Sequence, residues 1–258
     1  EADTLDDDVS TLPGVQRFLV RLVDDALTLS VDSSGARLHR RGYRLASAKA
    51  PIRESLAAAL LLASEWDGSV PLIDPLCGSG TIPIEAALLA RRIPPGWRRR
   101  FAFEHWPEFK PTVWEYMRGE AEKEILERAA VPIIAADRDA GVVEACAANA
   151  ERAGVAGDLS ILRAALTNTL SDPEVAAVSP GLVLTNPPYG VRVGESGRLR
   201  DLYASLGNAM RGPLAAWSLG FVTSDPALAT ATGLPVEPIL DTSTGGLRIR
   251  LYRYPATP

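Results

Sequence analysis

An open, mostly parallel α/β sheet with helices on both faces is the fold class this sequence predicts. Three observations support it. From residue 70 onward, short apolar runs alternate with helix-length segments, the pattern of successive βα units. A glycine-rich string, Asp74-Pro75-Leu76-Cys77-Gly78-Ser79-Gly80-Thr81, joins one apolar run directly to an apolar helix. An alternating run from Leu247 to Tyr254 follows Gly245-Gly246, which predicts an antiparallel edge.

The elements follow in order. Phe18 to Val23 and Ala26 to Val31 alternate on either side of Asp24-Asp25, the signature of a hairpin. Ala50-Pro51 precedes Ile52 to Leu62, a helix with proline near its first turn. Val70 to Asp74 reads as a strand and Ser79 to Arg92 as a helix. The rhythm then breaks over residues 93–131, which hold Trp97, Phe101, Phe103, Trp106, Phe109 and Trp114. Ile133 to Ala136 is a strand ending at Asp137, and Ala140 to Ala153 a helix closed by Gly154. Leu159 to Leu162 and Leu182 to Leu184 are short strands, Leu199 to Arg211 a helix, and Ala215 to Thr223 a strand. The expected division is an acidic tail or linker at 1–16, a hairpin-and-helix extension at 17–69, and the main α/β domain at 70–258. The last contains the aromatic-rich insertion of about 93–131.

Composition narrows the function classes. The chain has 258 residues and 47% hydrophobic content, enough for a sizeable core. Cys77 and Cys146 are the only cysteines, and His39 and His105 the only histidines. A disulfide scaffold, a metal cluster and a histidine-based triad are therefore poorly supplied. The net charge of −5 comes from Glu1, Asp3, Asp6, Asp7 and Asp8; the remainder holds 27 basic and 27 acidic groups. No apolar run approaches membrane-spanning length and no secretory leader is visible, so a soluble cytoplasmic protein is expected. The chain opens on Glu1, which suggests a fragment lacking an upstream domain.

A strand, a glycine turn and a helix in succession place backbone N–H groups at the crevice above the sheet. Gly78 and Gly80 permit unusual φ and close approach of a ligand. Asp74, at a strand end, can accept from a ligand ammonium, and Asp137, at the next strand end, from ribose hydroxyls. In dinucleotide folds that acid comes about 20 residues after the loop. Here Gly80 and Asp137 are 57 apart, which weakens a nicotinamide reading. No lysine follows Gly80, so this is not a nucleoside-triphosphate loop.

The second string, Thr185-Asn186-Pro187-Pro188-Tyr189-Gly190, places Asn186 112 positions after Asp74. An exocyclic amine on a purine is conjugated with its ring and is a poor nucleophile. Acceptors aimed at its protons favour the nitrogen as it rehybridises, an effect expressed in the transition state. The Asn186 side-chain oxygen and the Pro187 carbonyl suit this role. Pro187 and Pro188 stiffen them, and Tyr189 can stack on the base. The two strings together describe a pocket for an adenosyl cofactor beside a clamp for a planar amino group.

At this point the sequence resembles the class I S-adenosylmethionine-dependent RNA methyltransferases of the THUMP-associated type, which make N2-methylguanosine in ribosomal or transfer RNA. The likeness rests on Leu38 to Arg44, Ala50 to Ala57, Asp74 to Thr81 with Ile84 to Ala87, Phe101 to Glu104, Asp137, Asn186 to Gly190 with Arg192, and Gly245 to Leu247. It covers nearly all of residues 17–254. The resemblance implies a Rossmann-like sheet of seven strands, S-adenosyl-L-methionine as cofactor, RNA as partner and an upstream THUMP-like domain that grips it. It also implies catalytic roles for Asn186, Pro187, Pro188 and Tyr189. The cofactor site would comprise Asp74, Pro75, Cys77, Gly78, Ser79, Gly80, Thr81, Glu85, Asp137 and Asn186. Ala165 stands about where the family carries an acid near the cofactor adenine. Adenine N6 in DNA or RNA is the alternative target, and a non-catalytic RNA-binding module the alternative class. Many DNA amino-methyltransferases have the clamp before the glycine loop; here the loop comes first.

Two clusters allow two readings each. Arg37, Arg40, Arg41 and Arg44, with Tyr43 among them, form either a phosphate contact or a solvated face. Arg98, Arg99 and Arg100 beside Trp97 and Phe101 suggest a nucleic-acid edge, although Phe101 and Phe103 read rather as packing residues.

Overall fold

The computed structural model describes residues 15–45, 52–178, 180–189 and 196–256. The described residues fall into two compact units, one lying within 1–42 and 93–125, the other within 43–92 and 126–258. The sequence places a boundary at residue 69. The fold instead puts the helix α1 (Glu54–Ala63) with the sheet unit, because α1 packs on α2 (Thr81–Ala90).

The larger unit holds a seven-stranded sheet. Its strands are β3 (Leu72–Asp74), β4 (Ile133–Asp137), β5 (Leu159–Arg163), β6 (Leu182–Thr185), β7 (Ser218–Thr223), β8 (Glu237–Thr244) and β9 (Leu247–Tyr254). The spatial order is β5-β4-β3-β6-β7-β9-β8. Pairs among β3 to β7 are parallel, while β9 runs antiparallel to both β7 and β8. The antiparallel edge expected from Gly245-Gly246 is thus a pair of strands, with β9 inside and β8 outermost. The sequence reading omits β8, whose Glu237-Pro238 start and Asp241-Thr242-Ser243-Thr244 end suppress a strand signal.

Alternate residues of the central strands face opposite layers, and both layers are apolar. Ile73, Ile134 and Val183 join Leu166 and Leu170 of α5 (Leu166–Leu170), Val175 of α6 (Pro173–Ala176) and Tyr203, Leu206 and Met210 of α7 (Ser196–Arg211) in one core. Ala135 instead meets Cys146 of α4 (Ala140–Ala153) and Cys77. Burial on both sides explains the unbroken apolar runs of β3, β4 and β6. Strand order reverses between β3 and β6, where the carboxyl ends open a crevice.

The smaller unit contains the hairpin β1 (Phe18–Val23) and β2 (Ala26–Val31), with Asp24 and Asp25 at φ of 48° and 59°. Positive φ at both central residues is what a two-residue hairpin turn demands. The insertion, read from sequence as an interruption, carries a helix of its own, α3 (Pro111–Lys123), with proline in its first turn. Phe101 and Phe103 stack at 5.2 Å, and Trp114 meets both edge-on at 5.8 and 5.1 Å. These rings form a local cluster rather than a layer of the sheet core. Among the described residues no helix is long and apolar enough to cross a membrane.

Candidate active site

The glycine loop leaves β3 at Asp74 and enters α2 at Thr81. Gly78 and Gly80 sit at φ of 54° and 87°, the left-handed region that favours glycine. A methyl at Gly80 would overlap the Cys146 sulfur. Gly80 therefore serves backbone conformation and close helix packing at once. Pro83, third in α2, removes only an N–H that has no partner within the helix. The loop is also held from outside: Cys77 N–H donates to the Ala136 carbonyl at 2.9 Å, and Asn149 Nδ2 to the Ser79 carbonyl at 2.9 Å.

Asp137 closes the second side. Its Oδ2 accepts from Gly78 N–H at 3.2 Å and its Oδ1 from Asp139 N–H at 3.0 Å. Asp139 in turn caps α4, accepting from Gly141 at 2.8 Å and Val142 at 3.3 Å. Each Asp137 oxygen keeps a further lone pair.

Asp74 is buried at the switch point. Its Oδ1 accepts from Leu76 N–H at 3.2 Å and from the Thr185 hydroxyl at 2.7 Å, so one carboxylate ties β3 to β6. Asn186 follows Thr185 immediately. Its Oδ1 is buried and, among the described residues, has no donor. An unsatisfied buried acceptor is costly and rare in a folded protein, so this atom calls for a donor beyond the described residues. Pro187 is buried, Pro188 exposed and Tyr189 half-buried against the α7 side of the core. The Ser224 hydroxyl donates to the Tyr189 carbonyl at 3.4 Å, tethering the motif to the loop after β7. Gly190 and Arg192 lie outside the described residues, as does Pro51.

Burial drives the Asp74 carboxyl up to about 7, against the Thr185 and Leu76 hydrogen bonds; the nearby Asp137 charge adds to the rise. The ordinary value is 3.8, so the folded protein holds this proton more tightly than the unfolded chain does. Stability from this group is therefore fullest below about pH 4 and falls as pH rises through about 7. Asp74→Asn copies the protonated form. The variant should gain melting temperature over wild type progressively between pH 5 and pH 8. Thermal denaturation at each pH reads this, and a difference that stays flat refutes it.

The remaining sequence candidates find structural settings. Glu85 is buried and accepts from the Tyr43 hydroxyl at 3.0 Å. Tyr43, read from sequence within a basic surface cluster, is only 2% exposed, and burial pushes its phenol well up. Its carbonyl accepts from Arg152 Nε of α4 at 2.8 Å. Arg44 bonds the Ile52 carbonyl at 2.7 Å and pairs with buried Glu54 at 3.3 Å, so it braces α1. Cys77 and Cys146 are buried free thiols; their mutual hydrogen bond and burial push the Cys77 thiol up, toward its neutral form. Ala165 precedes α5, where its carbonyl accepts from Thr169 N–H at 3.0 Å. Sequence reasoning missed Thr185, Asn149 and Arg152 as positioning residues. A polar residue within an apolar strand or helix run was the available signal.

Residues 41–236 match the model of a family described as RMKL-like, methyltransferase domain. The chain belongs to this family. Its sheet has the order and the single antiparallel insertion of the Rossmann-like class I methyltransferase fold. The ribosomal RNA large subunit methyltransferase K/L of Syntrophotalea carbinolica is 39% identical over 245 residues, covering 92% of this chain and 34% of that protein. The putative RNA methyltransferase YpsC of Bacillus subtilis is 34% identical over 235 residues, covering 91% and 60%. The crystal structure of SMU.472, a putative methyltransferase complexed with SAH, superposes with a TM-score of 0.84 at 30% identity, covering 94% of this chain and 62% of that one. The chain thus spans between 34% and 62% of the length of these relatives. Within the family match, 41–236, lie both the glycine loop and the Asn186 motif.

Proposed function

We propose that this chain is the catalytic domain of a cytoplasmic S-adenosylmethionine-dependent RNA methyltransferase that methylates the exocyclic N2 of guanine in ribosomal RNA. The observation that carries the reading is the buried Asn186 Oδ1, which has no donor among the described residues and lies one residue from the Thr185–Asp74 bond that joins the clamp to the glycine loop. The relatives named for RNA methylation, and the neighbour crystallised with SAH, support the substrate class and the cofactor.

S-adenosylmethionine supplies an electrophilic methyl group on a sulfonium. The residues present fit it. Gly78 and Gly80 give the loop its left-handed backbone, and Asp74, at the end of β3, would accept from an ammonium group. Asp137, already aligned by Gly78 and Asp139, accepts from ribose hydroxyls. Pro75, Cys77, Ser79, Thr81 and Glu85 complete the proposed cofactor site. Asn186 Oδ1 and the Pro187 carbonyl receive the two amine protons, so that the nitrogen lone pair turns toward the methyl group as positive charge develops. Tyr189 stacks on the base and fixes its plane. Holding nitrogen and methyl in line removes much of the entropic barrier, and a paired guanine must first be flipped out at a cost of a few kcal/mol. One amine proton would leave to solvent, balancing the methyl group gained as its bond to the sulfonium breaks and the sulfur becomes a neutral thioether. An upstream THUMP-like domain would supply further RNA affinity.

Incubation with methyl-labelled cofactor and ribosomal RNA, transfer RNA or DNA, followed by nucleoside analysis, tests this. N2-methylguanosine from ribosomal RNA is the expected product. N6-methyladenosine would replace the guanine assignment, and no transfer to any RNA would overturn the reading.

A further inference from the structure

The smaller unit contains a cleft of about 370 Å³ that the methyl-transfer reading does not use. Arg100, Phe109, Trp114, Glu115 and Arg118 line it, together with Arg99. Its floor is the aromatic cluster in which Trp114 stands edge-on to Phe101 and Phe103. Arg118, exposed, lies 4.9 Å from the Trp97 ring centroid and donates to the Trp97 carbonyl at 3.3 Å. Its guanidinium is therefore held in place before any ligand arrives. Arg100 is 86% exposed, paired loosely with Glu104 at 3.5 Å.

Arg99 concentrates charge behind this cleft. It donates to the carbonyls of Ser34 at 2.9 Å and Arg37 at 3.2 Å, and also to that of Ala36, which pins the loop bearing Arg37, Arg40 and Arg41. Its buried Nε has no acceptor among the described residues. Burial, and then the positive charge of Arg41, hold its guanidinium below the ordinary value, with Asp32 opposing. A fold that gathers like charges in this way gains from an anionic ligand.

Aromatic rings, oriented guanidinium groups and one exposed carboxylate in a nucleotide-sized cleft are the elements of single-stranded nucleic-acid recognition. We infer that this cleft binds one unpaired nucleotide of the substrate RNA, other than the one methylated. The base stacks against Trp114 and the Arg118 guanidinium, Glu115 accepts from a base N–H, and Arg100 meets the phosphate. The inference rests on the RNA reading above and adds a second anchoring point for RNA within this chain.

Two experiments on the 258-residue chain decide it. Oligoribonucleotides bearing 4-thiouridine are photo-crosslinked and the modified peptides mapped; crosslinks within residues 97–118 are expected. Separately, Arg118→Glu should raise the KM for RNA about tenfold. Arg100→Glu, at the residue placed on the phosphate, should reduce the salt dependence of binding by about 0.7 in log–log slope for each phosphate it no longer neutralises. The kcat at saturating RNA and the cofactor Kd should stay near wild type. Crosslinks confined to other residues, with an unchanged KM, overturn the inference. Crosslinks at 97–118 without methyl transfer to any RNA uphold the subsite and sink the methyltransferase reading instead. Failure to bind or crosslink RNA at low salt overturns the subsite. Crosslinking uses the unaltered chain, so it decides even if Arg118→Glu misfolds.

Discussion

Asn186→Ala is expected to slow methyl transfer by about a hundred- to a thousandfold, the range seen when one preorganised polar group is removed from a charge-developing centre. The substitution deletes the acceptor that steadies the amine while its nitrogen gains positive charge. Folding should not suffer. Asn186 Oδ1 is buried with no donor among the described residues, so its removal breaks no hydrogen bond to them. Melting temperature should stay level or rise, and calorimetry should show cofactor affinity close to wild type. Single-turnover transfer, measured with the cofactor bound at saturation, separates the chemical step from binding. A variant with full turnover would remove Asn186 from the mechanism. A variant that lost its cofactor would make Asn186 a binding residue.

Gly80→Ala is expected to destabilise the folded protein by about 2–4 kcal/mol. About 1–2 kcal/mol comes from placing a β-carbon at a φ of 87°, and the rest from its overlap with the Cys146 sulfur. For a chain of this size the melting temperature should fall by about 5–15 °C. The two causes are separable. Cys146→Ala in the same chain removes the overlap and leaves the backbone strain. A double-mutant cycle should therefore return a favourable coupling of about 1 kcal/mol or more. Strict additivity would show that packing on Cys146 is not the constraint. Because Gly80 N–H also closes the turn on the Cys77 carbonyl at 2.9 Å, the variant should weaken cofactor binding as well.

Much of the fold was legible because the apolar runs obey one rule. A parallel sheet buried on both faces needs uninterrupted apolar strands, and β3, β4 and β6 supply them as Leu72-Ile73, Ile133-Ile134-Ala135-Ala136 and Leu182-Val183-Leu184. β8 was not legible, since Glu237, Asp241, Thr242 and Ser243 belong to an outer strand with only partial burial. α3 was hidden for a related reason. Its face is amphipathic over a local aromatic cluster rather than a core, so Trp114 reads as loop punctuation.

The two motifs were equally plain, and their residue types alone limited the chemistry. A glycine turn ending a strand admits a ligand against the backbone, and an amide between an apolar strand and two prolines offers a rigid acceptor. What the sequence could not supply was the distance between segments 112 positions apart. Only the tertiary structure brings Thr185 to 2.7 Å from Asp74, because β3 and β6 become neighbours where the strand order reverses. The same neighbourhood buries Asp74 and so raises its carboxyl to about 7. Tyr43 makes the point in the opposite direction. Its arginine-rich surroundings suggest a surface, yet Glu85, 42 positions later, accepts its hydroxyl proton inside the core. Residue type sets which interactions a side chain can make, while burial and partner are properties of the packed fold.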